Sequence, residues 1–431
     1  MSKPSLIIIV CLGAAGLTAL ILYGLSLNSK SALSLSGIAT ANQAITTQAG
    51  ETQRLSSSAE QITNSNIGTS TNIVTANKEM LAASSSVSVT SGLNTNTMPK
   101  QKNIVAVINT SKALPIISPV ALMGRAEIMA WIYPGGQSCA AKTEIADGRK
   151  IDVLKAEYFT INEAGQLTPL VEGKGSCNGY SSANIASLKK YSKEQYATVS
   201  SSYAGSMDLF LSSTLEDGTS INTLVDFAVN NNISGIEIDF EDFGGWTKPM
   251  YANYKQFITK LGNALHEKKK KLIIDGPATS SAVEEAWYVW RYADFNALPV
   301  DRLVVMTYDY QYDQGSGEPV APISWLQNTI KWTLGRFPNK AKLSIGIPSY
   351  GYRGTIGTQK FSLLAYDQIK KEPGFATAQR DPKSFEMTWQ NGNNVYFYQD
   401  GESMARKMQV IQSSGINSVS VWHLGGNLWF K

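Results

Sequence analysis

Across residues 124–431, short apolar runs alternate with amphipathic stretches. The runs are Ile128–Tyr133, Ser206–Leu211, Ile233–Phe240, Lys271–Asp275, Leu303–Tyr308, Leu343–Pro348 and Ser418–Trp422, with an eighth near Tyr158–Ile161. Between them, Ser220–Asn230 and Tyr251–Glu267 carry apolar residues at helical spacing. Strands alternating with helices build parallel βα units, so the pattern predicts an α/β fold, a (β/α)8 TIM barrel over 124–431. An open doubly wound sheet is the alternative. No G-x-G-x-x-G follows the first strand, which counts against a nucleotide-binding version of it.

The pattern changes towards the N-terminus. Ser5 to Leu27 is free of charge, and at about 1.5 Å per residue it is long enough to cross a bilayer core. Residues 1–27 are therefore expected to form a transmembrane signal anchor, inserted in the membrane through residues 5–27. Lys3 favours the N-terminus inside and the rest exported to the cell surface or periplasm. Cleavage of this segment would instead give a secreted protein. Residues 28–123 read as a low-complexity spacer, since Ser and Thr make 24 of the 70 residues from 31 to 100. A faint heptad from Ile38 to Met80 offers a helical stalk as the other reading, and Asn103–Ile108 a short strand-like arm.

Composition agrees with this division. The chain has 13 Phe, 9 Trp and 19 Tyr, yet none lies between residues 24 and 130, so the packed core starts near 124. A net charge of +4 over 431 residues gives no basic face for nucleic acid. The histidines are His266 and His423, and the cysteines Cys11, Cys139 and Cys177. That leaves little material for a Ser-His-Asp triad or a Cys/His zinc site, so carboxylates and tyrosines must carry any chemistry. In an exported domain Cys139 and Cys177 are candidates for a disulfide; two free buried thiols are the alternative.

The chemistry concentrates in Ile233–Glu241. Side chains alternate along a strand, so Ile236, Ile238 and Phe240 face one way and Glu237, Asp239 and Glu241 the other. Successive carboxylates on that face stand about 6–7 Å apart. Buried like charges cannot all ionise cheaply, and a carboxyl kept protonated near neutral pH is a general acid. A solvated acidic edge strand is the plainer reading; the apolar opposite face and flanking helices disfavour it.

Ser234-Gly-Ile-Glu-Ile-Asp-Phe-Glu241 resembles the fourth-strand signature of glycoside hydrolase family 18, the chitinase family, written D-G-x-D-x-D-x-E. Gly235, Asp239 and Glu241 match, while Ser234 and Glu237 stand where aspartates are expected. In the same order, Met306-Thr-Tyr-Asp309 resembles the sixth-strand M-x-Y-D and Gly346-Ile-Pro-Ser-Tyr-Gly351 the seventh-strand G-x-P-x-Y-G. Ser418–Trp422 resembles the eighth strand, whose terminal Trp floors the sugar site. The stretches Tyr158–Leu167 and Tyr308–Trp325 look closest to a bacterial branch with spore-cortex and cell-wall glucosaminidases.

The resemblance implies retaining, substrate-assisted hydrolysis of β-1,4-linked N-acetylglucosamine polymers such as chitin or peptidoglycan, with no cofactor or metal. It makes Glu241 the general acid/base, has Asp239 orient the acetamido group, and has Tyr308 donate to its oxygen. Asp309 would hydrogen-bond the sugar, Trp422 would stack beneath it, and Met306 would line the site. Tyr133, Glu237 and the distal platform Trp246 complete the expected contacts, with Asp275 a weaker candidate. The longer Glu237 either approaches Asp239 or bends aside. Three readings compete: a non-catalytic, lectin-like glycan-binding protein on the same barrel, a surface adhesion protein, and a glycosidase with a protein nucleophile. Oligomeric state is not legible.

Overall fold

The computed structural model describes residues 126–146, 151–173 and 177–427. The expected anchor at 1–27, the spacer at 28–123, its heptad and the arm at 103–108 all lie outside the described residues. Among the described residues no helix is long and apolar enough to cross a membrane.

The described residues form fourteen strands: β1 Glu127–Ile132, β2 Val153–Ile161, β3 Leu167–Pro169, β4 Glu194–Ser201, β5 Gly235–Phe240, β6 Lys271–Pro277, β7 Arg302–Met306, β8 Leu343–Pro348, β9 Gly351–Thr355, β10 Phe361–Leu364, β11 Gln379–Arg380, β12 Met387–Asn391, β13 Asn394–Tyr398 and β14 Ser418–Leu424. Eight of them pair in parallel in the order β1-β2-β4-β5-β6-β7-β8-β14, and β14 pairs back to β1. This is the closed barrel expected from the sequence, with β3 adding antiparallel to β2.

One of the eight strands differs from the expectation. Ser206–Leu211 is not a strand but part of the helix Ala204–Asp217. Its buried residues Met207, Phe210, Leu211 and Thr214 recur at helical spacing, which overrides the apolar look of the short run. The third barrel strand is β4, whose polar sequence EQYATVSS hides it because alternate residues face a polar barrel interior.

A second, five-stranded antiparallel sheet in the order β10-β9-β13-β12-β11 is inserted between β8 and β14. The sequence reading had not separated it from the barrel. Its own small core includes Trp389 stacked on Tyr396 with ring centroids 4.1 Å apart. Buried Glu386 ties the insertion down by accepting the backbone N–H groups of Val320 and Ala321 at 2.9 and 2.8 Å, beside Lys407 at 3.2 Å.

β5 shows how the site is positioned. Ile236, Ile238 and Phe240 belong to the core between sheet and helices, with Phe240 stacked on Phe257 of the helix Lys248–Glu267. Burial of each such side chain contributes roughly 1.5–3 kcal/mol. Thr247 caps that helix by accepting from Met250 N–H, and Pro249 suits its first turn. Gly235 is required where β5 meets β6, because a Cβ there would stand 1.9 Å from the Lys271 carbonyl oxygen. With the apolar residues outward, Glu237 and Asp239 point into the barrel.

Candidate active site

At the C-terminal end of β5 the chain continues through Glu241, whose N–H donates to Ser201 O at 2.8 Å. Asp242 then turns left-handed at φ 51°, and its carboxylate accepts the Ala204 N–H at 3.0 Å. This turn leaves the Glu241 side chain at the barrel mouth, on the wall of a cavity of about 220 Å³. Phe243, Tyr288, Met306, Tyr308 and Asp309 share that wall. The barrel mouth is where (β/α)8 proteins carry their chemistry.

The carboxyl of Glu241 is pushed up to about 7, first by burial and then by the nearby charges of Asp309, Glu157 and Asp242. Asp239, two residues deeper, is buried, and its Oδ1 has no hydrogen-bond partner. Burial and then the Glu241 and Glu237 charges hold it well above the usual carboxylate range. The Tyr308 hydroxyl is also raised well above its ordinary value, by burial and then by Asp239, Asp275 and Glu241, so it stays a donor at neutral pH. A Cβ on Gly346 would meet the Tyr308 ring at 2.9 Å, which explains the first glycine of the seventh-strand motif.

Asp309, left-handed at φ 66°, accepts from Tyr350 Oη at 2.5 Å and from Gln311 Nε2 at 3.2 Å. Burial outweighs these bonds and pushes its carboxyl up to about 6. Tyr350 lies in a motif quoted from the sequence, but its partner was not visible there.

Two expected substrate contacts need correction. Glu237 is fully buried and bends aside: Oε1 is 2.6 Å from Lys155 Nζ, while Oε2 accepts from Trp131 Nε1 at 3.0 Å and Thr198 Oγ1 at 2.5 Å. Its carboxylate is engaged by β1, β2 and β4 and does not line the cavity beside Glu241. Trp246 offers no platform. It is 5 % exposed, packs edge-on to Tyr254 at 4.9 Å and against Phe243, and donates its indole N–H to Glu241 O.

Trp422, at the end of β14, is nearly buried and meets Trp131 and Tyr133 edge-on at 5.7 and 6.2 Å. Neither Trp422 nor Tyr133 walls the cavity beside Glu241; they stand on the β14–β1 side of the mouth. Asp275 is buried within β6 beside Glu237, and burial and then the Glu237 charge raise it well above the usual range. Cys139 and Cys177 are disulfide-bonded, Cα–Cα 5.0 Å. Neither histidine walls the cavity: His423 is buried against Tyr350, and His266 pairs with Asp301 at 2.8 Å on the surface.

Sequence reasoning missed Lys155 and Glu157 on β2. Glu157 accepts from Ser200 Oγ, and burial pushes its carboxyl up to about 7, the Glu237 charge adding to the rise. Two charged residues at alternate positions of a strand with apolar neighbours were the available signal.

Comparison with known proteins places the barrel in a family. Residues 131–427 match the model of glycosyl hydrolases family 18, and the chain belongs to that family. The cortical fragment-lytic enzyme of Bacillus subtilis (strain 168) is 23% identical over 227 residues, 48% of this chain and 49% of that protein. The chain spans about half to three fifths of the length of the curated relatives it matches. Among solved structures, a chitinase from Chromobacterium violaceum ATCC 12472 superposes with TM-score 0.59 at 23% identity, covering 70% of this chain and 95% of that one. The spore cortex-lytic enzyme SleL of Bacillus cereus gives TM-score 0.58 at 15% identity, covering 70% and 72%.

Proposed function

We propose that this domain hydrolyses β-1,4 linkages in N-acetylglucosamine-containing polymers, chitin or the glycan strands of peptidoglycan, with retention of configuration. The observation that carries the reading is Glu241: a carboxyl at the mouth of a family 18 barrel, pushed up to about 7, two residues beyond buried Asp239. Such a group is protonated often enough near neutral pH to act as an acid, and then as a base.

Protonated Glu241 gives its proton to the glycosidic oxygen as the bond to the anomeric carbon breaks. The acetamido oxygen of the same sugar bonds to that carbon, giving an oxazolinium ion, so the protein supplies no nucleophile. Asp239 orients the acetamido N–H and faces the developing positive charge, and Tyr308 donates to the acetamido oxygen. Water then attacks the anomeric carbon, its proton passes to the Glu241 carboxylate, and the oxazolinium ring opens. Asp309 hydrogen-bonds the sugar and Met306 lines its side, while Trp422 and Tyr133 meet it from the β14–β1 side of the mouth.

Relatives acting on spore cortex and on chitin make both polymers reasonable substrates. The Cys139–Cys177 disulfide supports a domain working outside the reducing cytoplasm, and the apolar segment 5–27 fits attachment to the membrane from which it projects.

The test is to incubate the full chain with fully N-acetylated and fully de-N-acetylated glucosamine oligosaccharides and follow the new anomeric proton by NMR. Cleavage of the acetylated series alone, with the β-anomer appearing first, is expected. Inversion, or equal cleavage of the amine series, contradicts the mechanism; binding without cleavage favours the lectin-like alternative.

A further inference from the structure

Lys155 has no part in the reaction proposed above, yet it sits at the centre of the barrel's polar interior. It is fully buried, 2.6 Å from Glu237 Oε1, 3.4 Å from Ser420 Oγ, and 3.0 Å from the centroid of the Trp131 ring. Among the described residues it is the one buried cation inside the barrel, since the other buried lysine, Lys407, belongs to the helix Gly401–Ser413. Besides its partner Glu237, the groups its charge acts on are acidic: Asp239 on β5 and Asp275 on β6, which in turn interact with Glu157 on β2, Glu241 just past β5 and Tyr308 beyond β7. β1, β4, β8 and β14 contribute the uncharged Trp131, Thr198, Ser344 and Ser420 to the contacts around Lys155 and Glu237.

The three carboxylates at positions 237, 239 and 241, two on β5 and one just past it, are not equivalent. Glu237 has both oxygens engaged, one by Lys155 and the other by Trp131 and Thr198, and no hydrogen bond joins it to Asp239. Asp239 leaves Oδ1 buried and unpartnered, so of its two neighbours along this segment Glu241, just past β5, is left for a proton on Asp239 to exchange with.

We propose that Lys155 is a positioning residue which, by holding Glu237, withdraws the innermost carboxylate from proton exchange and confines the mobile proton to Asp239 and Glu241. This rests on the reading of Glu241 as the general acid. The proton balance shows why confinement matters. One proton shared by Asp239 and Glu241 sits on Glu241 when the leaving oxygen needs it, and Asp239 is then the anion facing the acetamido group. Were Glu237 free to take that proton, Glu241 and Asp239 would both be anions with nothing to donate. The Lys155 charge acts on Asp239 in the same sense, opposing the rise caused by burial and by its acidic neighbours. The substitution of Glu for Asp at position 237 and the lysine at 155 thus form one device, the longer side chain reaching across to the cation.

The experiment compares the full chain with Lys155→Met, Glu237→Gln and the double variant, each carrying 13C-carboxyl-labelled Asp and Glu, titrated by NMR. The Asp239 resonance is assigned with Asp239→Asn, and cleavage of N-acetylglucosamine oligosaccharides is measured in parallel. The Asp239 midpoint is expected to rise by about 1 pH unit in Lys155→Met and fall by about as much in Glu237→Gln, where the lysine is left unpaired. In the double variant it returns towards wild type. Activity falls about tenfold or more in each single variant and recovers to within about threefold in the double, as expected when two buried charges act as a unit. An Asp239 midpoint unmoved in the single variants, or a double variant no closer to wild type than either single, overturns the proposal. If Lys155→Met does not fold, Glu237→Gln and the double variant decide. If the wild type cleaves no oligosaccharide, the proposed reaction fails, while the Asp239 titration still decides whether Lys155 sets its protonation.

Discussion

The indole N–H of Trp246 donates to the backbone carbonyl oxygen of Glu241 across 2.8 Å. With the Glu241 N–H bound to Ser201 O, both backbone groups of the candidate acid are held. Trp246→Phe keeps much of the packing against Phe243 and Tyr254 but loses this bond, at about 1 kcal/mol. We expect kcat/KM on N-acetylglucosamine oligosaccharides to fall about threefold to tenfold, with KM little changed, as a misplaced acid requires. Steady-state kinetics alongside urea unfolding checks this; a rise in KM at constant kcat would instead make Trp246 a sugar contact.

Activity should follow the protonation of Glu241. A general acid works in its protonated form, and its carboxyl is pushed up to about 7. The rate therefore falls as pH rises through about 7, and the limb belongs to the Asp239–Glu241 pair rather than to one residue. A kcat/KM profile from pH 4 to 9 reads it, and a plateau persisting to pH 9 would exclude Glu241 as the acid.

Stability should carry the same sign. Glu157 is buried with its carboxyl pushed up to about 7 from an ordinary value of 4.5, mainly by burial. A group whose folded pKa is raised contributes stability that is fully present below its unfolded value and is lost as pH rises through about 7. The loss for a buried carboxyl shifted this far is on the order of a few kcal/mol. Glu157→Gln retains a partner for Ser200 and removes the charge, so its unfolding midpoint should change less between pH 5 and 8 than that of the wild type. Equal pH dependence in the two proteins would refute the assignment.

The barrel was largely readable because parallel strands buried on their outer face leave apolar runs, and seven of the eight expected runs became barrel strands. The exception shows the limit. Met207, Phe210 and Leu211 look like a strand in a six-residue window and like a helix in a longer one, while β4 disguises its inner face with Thr198 and Ser200. The grouping of Glu241, Asp239, Tyr308 and Asp309 at the barrel mouth was legible because each lies near the C-terminal end of a strand in a recognisable motif. Lys155 was not, since its meaning comes from Glu237, 82 residues away, and only barrel closure brings them together. Trp246 was misjudged for a related reason: an aromatic in a loop reads as exposed until the helices folded over it are seen.

The Cys139–Cys177 bridge closes a separation of 38 residues at the start of the barrel. Loop-closure entropy of that size is worth roughly 3–4 kcal/mol. Reduction with a non-thiol phosphine should lower the melting temperature by several degrees or more. A Cys139→Ser/Cys177→Ser variant should melt with the reduced wild type, and no change on reduction would mean the bridge is not formed in solution.

The measurement that bears most directly on the central claim is release of reducing ends from chitin oligosaccharides and from purified peptidoglycan by the wild type and by Glu241→Gln. Wild-type cleavage of at least one polymer is predicted, with the variant reduced by roughly 10²-fold or more, because it loses proton transfer at both steps while keeping the shape of the site. Cleavage that survives in Glu241→Gln would contradict the assignment of the acid, and binding without cleavage by the wild type would contradict the reaction itself.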